Sequence, residues 1–235
     1  MRIAMEQDLN YAARIEEKQE QHPFMNQTEL VYSILLDDVL LKYRKPGNKI
    51  NQDQLATLPG VSRTPVRDAI KHLIEDDVLI RRGRGGYYVY ILTMKDVMHI
   101  VEFRTAIEVQ TGQLAIRRAS GHDLALMRQN LAALSACGKS DLKRMVDLDT
   151  EFHNLLVACS KNKLLIRAYQ QCATQIQLLR NLSLTEQMYD NIVVRHKNIL
   201  SALEVKDAER TVAAIRVHLR NNLDDSSEAM EYSYE

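Results

Sequence analysis

The sequence predicts a mainly α protein, in which a short mixed N-terminal unit precedes an all-α bundle of about six helices. Three observations predict it. All four prolines lie before residue 66, so the second half holds no obligatory helix breaker. Apolar residues recur there at helical spacing, as in Leu155, Leu156 and Cys159 or Ile199, Leu200 and Leu203. The first half instead alternates short helical runs with Pro and Gly turns and ends in "LIRRGRGGYYVY", two strand-like runs around a glycine-rich turn.

Length and composition set the frame. A chain of 235 residues with 46% hydrophobic content can bury real cores. The most apolar stretches, "VYSILLDDVLL" and "AIEVQTGQLAI", fall short of the roughly 18 residues a membrane span needs, so no membrane association is expected. The opening "MRIAMEQDLNYAARIEEKQEQ" lacks the apolar core and cleavage site of a signal peptide, which points to the cytoplasm. Cys137, Cys159 and Cys172 are far apart and never form C-x-x-C, which argues against disulfides or a thiolate zinc site. Net charge is zero, but residues 1–41 hold 3 basic and 8 acidic side chains, whereas residues 42–86 hold 10 basic and 5 acidic. That local basic excess is the footprint phosphate binding requires.

Residues 1–25 read as an N-terminal arm with helical character. "TELVYSILLDDVLLK", residues 28–42, reads as one amphipathic helix, and "YRKPGNKI" carries a Pro-Gly turn. A short helix, "NQDQLATL", follows, with Asn51 as its N-cap. "PGVSRTPVRDAIKHLIEDDVLI" then gives a tight turn and a longer helix lined on one face by Val66, Ile70, Leu73 and Ile74. Two helices joined by such a turn form a helix-turn-helix, and the strand-turn-strand after them is its wing. Ser62 can cap the second helix, Pro65 is tolerated in its first turn, and Arg63, Thr64 and Arg67 project near its N-terminal end. In this fold that end enters the major groove, where Arg reads guanine O6 and N7. Arg81, Arg82 and Arg84 tip the wing, suited to phosphates or the minor groove. Arg44 and Gly85 complete the set assigned to DNA. Winged helices also serve as protein-docking modules, but helix-turn-helix, arginines at the reading end and a basic wing occur here in order.

The second domain, residues 93–225, opens where Thr93 and Asp96 form a capping signal, and residues 226–235 read as a flexible tail. Helices are expected over 94–118, 122–136, 141–159, 163–181, 186–204 and 208–223. In "LDTEFHNLL", Asp149 and His153 stand four apart and share a helical face. Taken alone, such a pair is more often a solvated salt bridge than a ligand set. His196 and His218 are equidistant from Asp207, at the turn "EVKDAE". In an antiparallel hairpin about that turn they face each other, so three imidazoles and one carboxylate could converge inside the bundle. Such a set suits Zn²⁺, Ni²⁺, Mn²⁺ or Fe²⁺, zinc first, with positions left for an effector oxygen.

"PGNKINQDQLA", "GVSRTPVRDAIKHL" and "RGRGGYYV" resemble the winged helix of the GntR family of bacterial transcription regulators over residues 26–92. Pro59 departs from that family, which usually has an apolar residue there. "EFRTAIEVQTGQLAIRRA", "LDTEFHNLL", "RHKNILSAL" and "VHL" are similar to the FadR subfamily's FCD effector domain over residues 94–223. The resemblance implies Asp149, His153, His196 and His218 as metal ligands and Arg104 as the residue gripping an organic-acid carboxylate. An intrahelical pair with Glu108 is the alternative reading of Arg104.

The expectation is a cytoplasmic, homodimeric, ligand-responsive transcription regulator, a repressor in the first instance, with an inverted-repeat operator and a small carboxylate effector. It has no catalytic residues of its own. The rival is a metal-dependent hydrolase with an accessory winged helix; against it, no general base or nucleophile is evident beside the four ligands, although Glu151 is close in sequence.

Overall fold

The structure is a computed structural model and describes residues 11–40, 44–55, 61–83 and 86–233. The chain divides into two units between Ile91 and Leu92.

In the first unit, α1 (Tyr11–Gln21) precedes α2 (Gln27–Leu40). Asn26 and Glu29 cap α2 reciprocally: each backbone N–H donates to the other's side-chain oxygen at 3.0 Å. After β1 (Lys49–Ile50) come α3 (Gln52–Leu55), α4 (Arg63–Glu75), β2 (Leu79–Arg82) and β3 (Gly86–Val89). The α2 and α4 helices pack on each other, burying Leu30, Ile34 and Leu35 from one and Val66, Ile70 and Leu73 from the other. Each fully buried side chain of this size contributes about 1.5–3 kcal/mol. The β2–β3 hairpin pairs Leu79 with Val89 and Arg82 with Gly86. The two-residue β1, too short to show a period in sequence, adds Lys49 opposite Tyr88 on the other side of β3. The turn around Pro59 lies outside the described residues.

The arm is not loosely held over its described part. Tyr11 and Ile15 of α1 are buried, and Asp38 on α2, itself buried, accepts the Tyr11 hydroxyl at 2.7 Å and bonds with Arg14 and Arg44.

The second unit is helical throughout. Its elements are α5 (Met94–Arg118), α6 (Gly121–Ala136), α7 (Leu142–Cys159), α8 (Lys163–Gln171), α9 (Ala173–Ser183), α10 (Tyr189–Glu204) and α11 (Ala208–Ser233). The Thr93/Asp96 capping box opens α5 as expected, and Asp207 accepts the Arg210 N–H at 2.9 Å to open α11. Two expectations are corrected. The segment 163–181 is two helices broken at Cys172 rather than one, and α11 runs on through Ser233 where a tail was expected. "DDSSEAMEYS" contains no Pro or Gly to stop it, and Ser226 is buried with its hydroxyl on the Asn222 carbonyl.

The main core joins Val97 and Val101 of α5, Phe152 and Leu156 of α7, Ile199 and Leu203 of α10, and Ile215 and Leu219 of α11. Close approach of α5 and α11 depends on Gly112, where an added Cβ would sit 2.5 Å from the Ile215 Cδ1. This packing sets α5, α7, α10 and α11 around one interior point.

Candidate metal centre

That point is polar. Asp149 and His153 project from successive turns of α7, His196 from α10 and His218 from α11, and all four are buried. One donor atom from each lies within 4.8 Å of the others. The His218 Nε2 is 3.0 Å from the His153 Nε2. The Asp149 Oδ1 is 3.2 Å from the His196 Nε2 and 3.9 Å from the His153 Nε2. The hairpin about Asp207 therefore brings His196 and His218, equidistant from that turn, to the α7 pair.

The donors fit a divalent cation. Both nitrogens of His196 and the Nδ1 of His218 are buried without a hydrogen-bond partner among the described residues. The His196 Nε2 lies close to Asp149 yet outside hydrogen-bond geometry. A buried polar atom without a partner costs roughly 1–3 kcal/mol. Burial first, with Arg104 adding to it, pushes the His153 imidazole down to about 4 against the pull of Glu108 and Asp149. Burial and then His153 and His196 hold His218 well below the ordinary histidine range. Both rings are thus neutral near pH 7, the form that offers a lone pair to a metal. Burial would raise the Asp149 carboxyl, but Arg180 and His153 outweigh it and keep the group ionised. Phe152 stacks on the His196 ring, with centroids 4.0 Å apart, and fixes its plane.

A second layer surrounds the donors. Glu108, fully buried on α5, accepts from the His153 Nδ1 and the Arg104 Nε, each at 2.7 Å, and from the Tyr169 hydroxyl at 3.0 Å. Burial opposes its charge, yet Arg104 and then His153 hold the carboxyl well below the usual range. Arg180 on α9 donates through Nε to the Asp149 Oδ2 at 2.5 Å and through Nη2 to the Tyr169 hydroxyl at 3.3 Å. Tyr169 and Arg180 are eleven residues apart, about 16 Å of rise in an unbroken helix, so the break at Cys172 is what lets them meet. Sequence reasoning missed Tyr169 and Arg180. The only signal was an arginine inside the apolar run "IQLLRNL".

Arg104 pairs with Glu108 as the alternative reading held, but the pair does not exhaust it. Its Nη2 is a buried donor without a partner among the described residues. With the Asn222 amide oriented to donate to the His218 carbonyl, its oxygen accepts from the Arg104 Nη1 at 3.0 Å. Glu151, close to the donors in sequence, is exposed and accepts from the Asn130 amide at 2.9 Å.

On the first unit, Ser62, Arg63, Thr64 and Arg67 are exposed together at the start of α4. Ser62 occupies the N-cap position, but its hydroxyl makes no capping bond. Arg67 is 3.8 Å from Asp68, a loose contact that leaves its side chain 69% exposed. Arg82 is exposed on β2, its guanidinium 5.5 Å from the Tyr88 ring centre. Arg84 and Gly85 lie outside the described residues. Arg44 is a correction: it is buried, its Nε 3.3 Å from Asp38 and its Nη2 donating to the Tyr11 hydroxyl at 2.7 Å, so it is not presented to a phosphate.

A winged helix-turn-helix followed by an all-helical domain with this interior defines a class of DNA-binding regulator. Residues 27–89 match the bacterial regulatory proteins of the gntR family, and residues 99–221 match the FCD domain. The chain belongs to the GntR family of bacterial transcription regulators and carries an FCD domain, an architecture consistent with the FadR subfamily. It is similar to the Nta operon transcriptional regulator of Aminobacter aminovorans, 27% identical over 77% of this chain and 85% of that one. It is also similar to the HTH-type transcriptional repressor RspR of Escherichia coli, 25% identical over 85% of this chain and 88% of that one. McbR/YncC of E. coli shares the fold, with a TM-score of 0.73 at 20% identity over 87% of this chain and 99% of that one. These relatives are regulators rather than enzymes, and the hydrolase alternative gains no support. Among the described residues no helix is long and apolar enough to cross a membrane.

Proposed function

We propose that this regulator is a cytoplasmic, homodimeric repressor whose FCD domain holds a divalent ion and responds to a small organic acid. The observation that carries the reading is the four-donor cluster of Asp149, His153, His196 and His218, together with buried Arg104, whose Nη2 has no hydrogen-bond partner among the described residues. When bound, the ion supplies a Lewis-acidic anchor for a ligand oxygen. This chain's residues do the rest. Asp149 and the three imidazoles hold the ion, and Arg104 offers a fixed, charged N–H to a carboxylate. The donors and Arg104 are buried, and burial strengthens both contacts.

DNA binding falls to the exposed start of α4, with Arg63 and Arg67 at base edges, Ser62 and Thr64 at phosphates, and Arg82, Arg84 and Gly85 at the wing. Two copies of the chain then read an inverted repeat. The effector acts by linkage: an acid that binds one arrangement of the dimer better shifts the population toward it and changes operator affinity, and the operator changes acid affinity by the same factor. Coupling of about 1–3 kcal/mol, or 5–150-fold, is typical. Repression relieved by ligand is the sign favoured by similarity to a protein named as a repressor.

Footprinting on genomic fragments the protein retains, with and without candidate organic acids, tests the reading. Two inverted half-sites and an acid-dependent loss of protection are expected. One asymmetric site bound by a monomer, or a footprint indifferent to every acid at saturating metal, would overturn it.

A further inference from the structure

The residues behind the four donors close a hydrogen-bonded circuit, and its chemistry allows only one direction for each proton. Arg180 can only donate; it gives Nε–H to the Asp149 Oδ2 and Nη2–H to the Tyr169 oxygen. Tyr169, its lone pair taken, turns its own hydrogen to the Glu108 Oε1 at 3.0 Å. Glu108 is an ionised carboxylate and can only accept, so the contact at 2.7 Å to its Oε2 requires a hydrogen on the His153 Nδ1. Asp149 and His153, four residues apart on α7, are the two ends of this path through α5, α8 and α9.

From this we infer that Glu108, Tyr169 and Arg180 are positioning residues that preset two of the four donor atoms. Glu108 holds His153 in the tautomer whose Nε2 carries the lone pair, and Arg180 occupies the Asp149 Oδ2 so that Oδ1 faces the histidines. The inference rests on the metal reading above for its consequence, but the tautomer itself belongs to the folded chain. Glu108 is the keystone, because the Arg104 Nε lies at 2.7 Å from the oxygen that also takes Tyr169. One carboxylate therefore holds both the metal-facing histidine and the effector-facing arginine. A carboxylate behind a ligating histidine typically controls 10–100-fold of metal affinity.

The decisive variant is Glu108→Gln, which keeps the shape and replaces one acceptor with a donor. Its oxygen continues to serve Arg104 and Tyr169, which turns its –NH₂ toward the His153 Nδ1 and drives the His153 proton to Nε2. Nitrogen-15 spectra of the imidazoles in the metal-free protein should show His153 as the Nδ1–H tautomer in the wild type and the Nε2–H tautomer in the variant. Competition of Zn²⁺ against a chelator should show a 10–100-fold weaker site in Glu108→Gln. Tyr169→Phe, which leaves the His153–Glu108 contact in place, should keep the wild-type tautomer and lose less affinity. A wild-type His153 protonated on Nε2 would overturn the inference even if Glu108→Gln failed to fold. So would a folded Glu108→Gln with wild-type zinc affinity. A wild type that binds no Zn²⁺ while His153 is the Nδ1–H tautomer would instead sink the metal reading and leave the circuit standing.

Discussion

Replacing Arg104 with Ala removes the arginine paired with the fully buried Glu108, a contact of 2.7 Å. Glu108 keeps its bonds from His153 and Tyr169 but loses the charge that offsets its own. Breaking one side of a buried ion pair costs about 3–5 kcal/mol, a large part of the 5–15 kcal/mol by which a domain is stable. For a chain of this size that lowers the melting temperature on the order of 10 °C. The Asn222 oxygen loses its guanidinium donor as well, adding to the loss rather than relieving it. Arg104→Lys should recover much of the stability, since an ammonium offsets Glu108. It should not recover acid binding, because a single ammonium cannot serve Glu108 and the effector with the two edges of a planar fork. Calorimetric melting of the metal-free variants, followed by titration of the zinc-loaded proteins with organic acids, separates the two roles. An Arg104→Ala protein that melts within 2 °C of the wild type, taken as roughly 1 kcal/mol at this chain length, and still binds acid would refute the reasoning.

Three further outcomes are expected. Arg67→Ala should cost about 1–3 kcal/mol of specific operator binding and relax sequence preference, measured by gel shift at fixed salt, whereas Arg82→Ala should weaken specific and random duplexes alike. Gly112→Ala gains about 1 kcal/mol of helix propensity but meets fully buried Ile215 at 2.5 Å, and overpacking of this kind costs about 1–3 kcal/mol; urea denaturation should show a net loss. The metal-free chain should also be acid-labile. His153 titrates near 4 when folded and near 6.5 when unfolded, so the unfolded chain binds more protons below 6.5 and stability falls from there toward pH 4, by about 3 kcal/mol from this residue. His218 and the depressed Asp149 and Glu108 act in the same direction. Equal stability at pH 7 and pH 5 would count against burial of the neutral imidazoles.

What could be read from the sequence was what local chemistry encodes. Thr93 and Asp96 announce α5 because a capping box is a contact within four residues, and Asp207 announces α11 for the same reason. His196 and His218 could be paired because a hairpin relates positions by counting from its turn. The break at Cys172 carries no Gly or Pro and was hidden; the contacts there join Tyr169 and Arg180 to Glu108 and Asp149, as far as 61 residues away in sequence. Arg44 was misassigned for a related reason. Counting basic residues cannot tell an arginine open to phosphate from one closed over a buried aspartate, and Asp38 and Tyr11 decide that in three dimensions. The Arg104–Glu108 pair is visible as an i, i+4 spacing, but the Nη2 beyond it, without a hydrogen-bond partner among the described residues, is not.

Asp149, His153, His196 and His218 are proposed to hold one divalent ion inside the helical domain. Elemental analysis of the purified protein, with calorimetric zinc titration of the stripped chain, tests it most directly. Close to one divalent ion per chain is expected in the wild type, and loss of most of it in His196→Ala and His218→Ala, with both variants still helical. A wild type that takes up no added divalent metal, or variants that bind it with unchanged affinity, would contradict it.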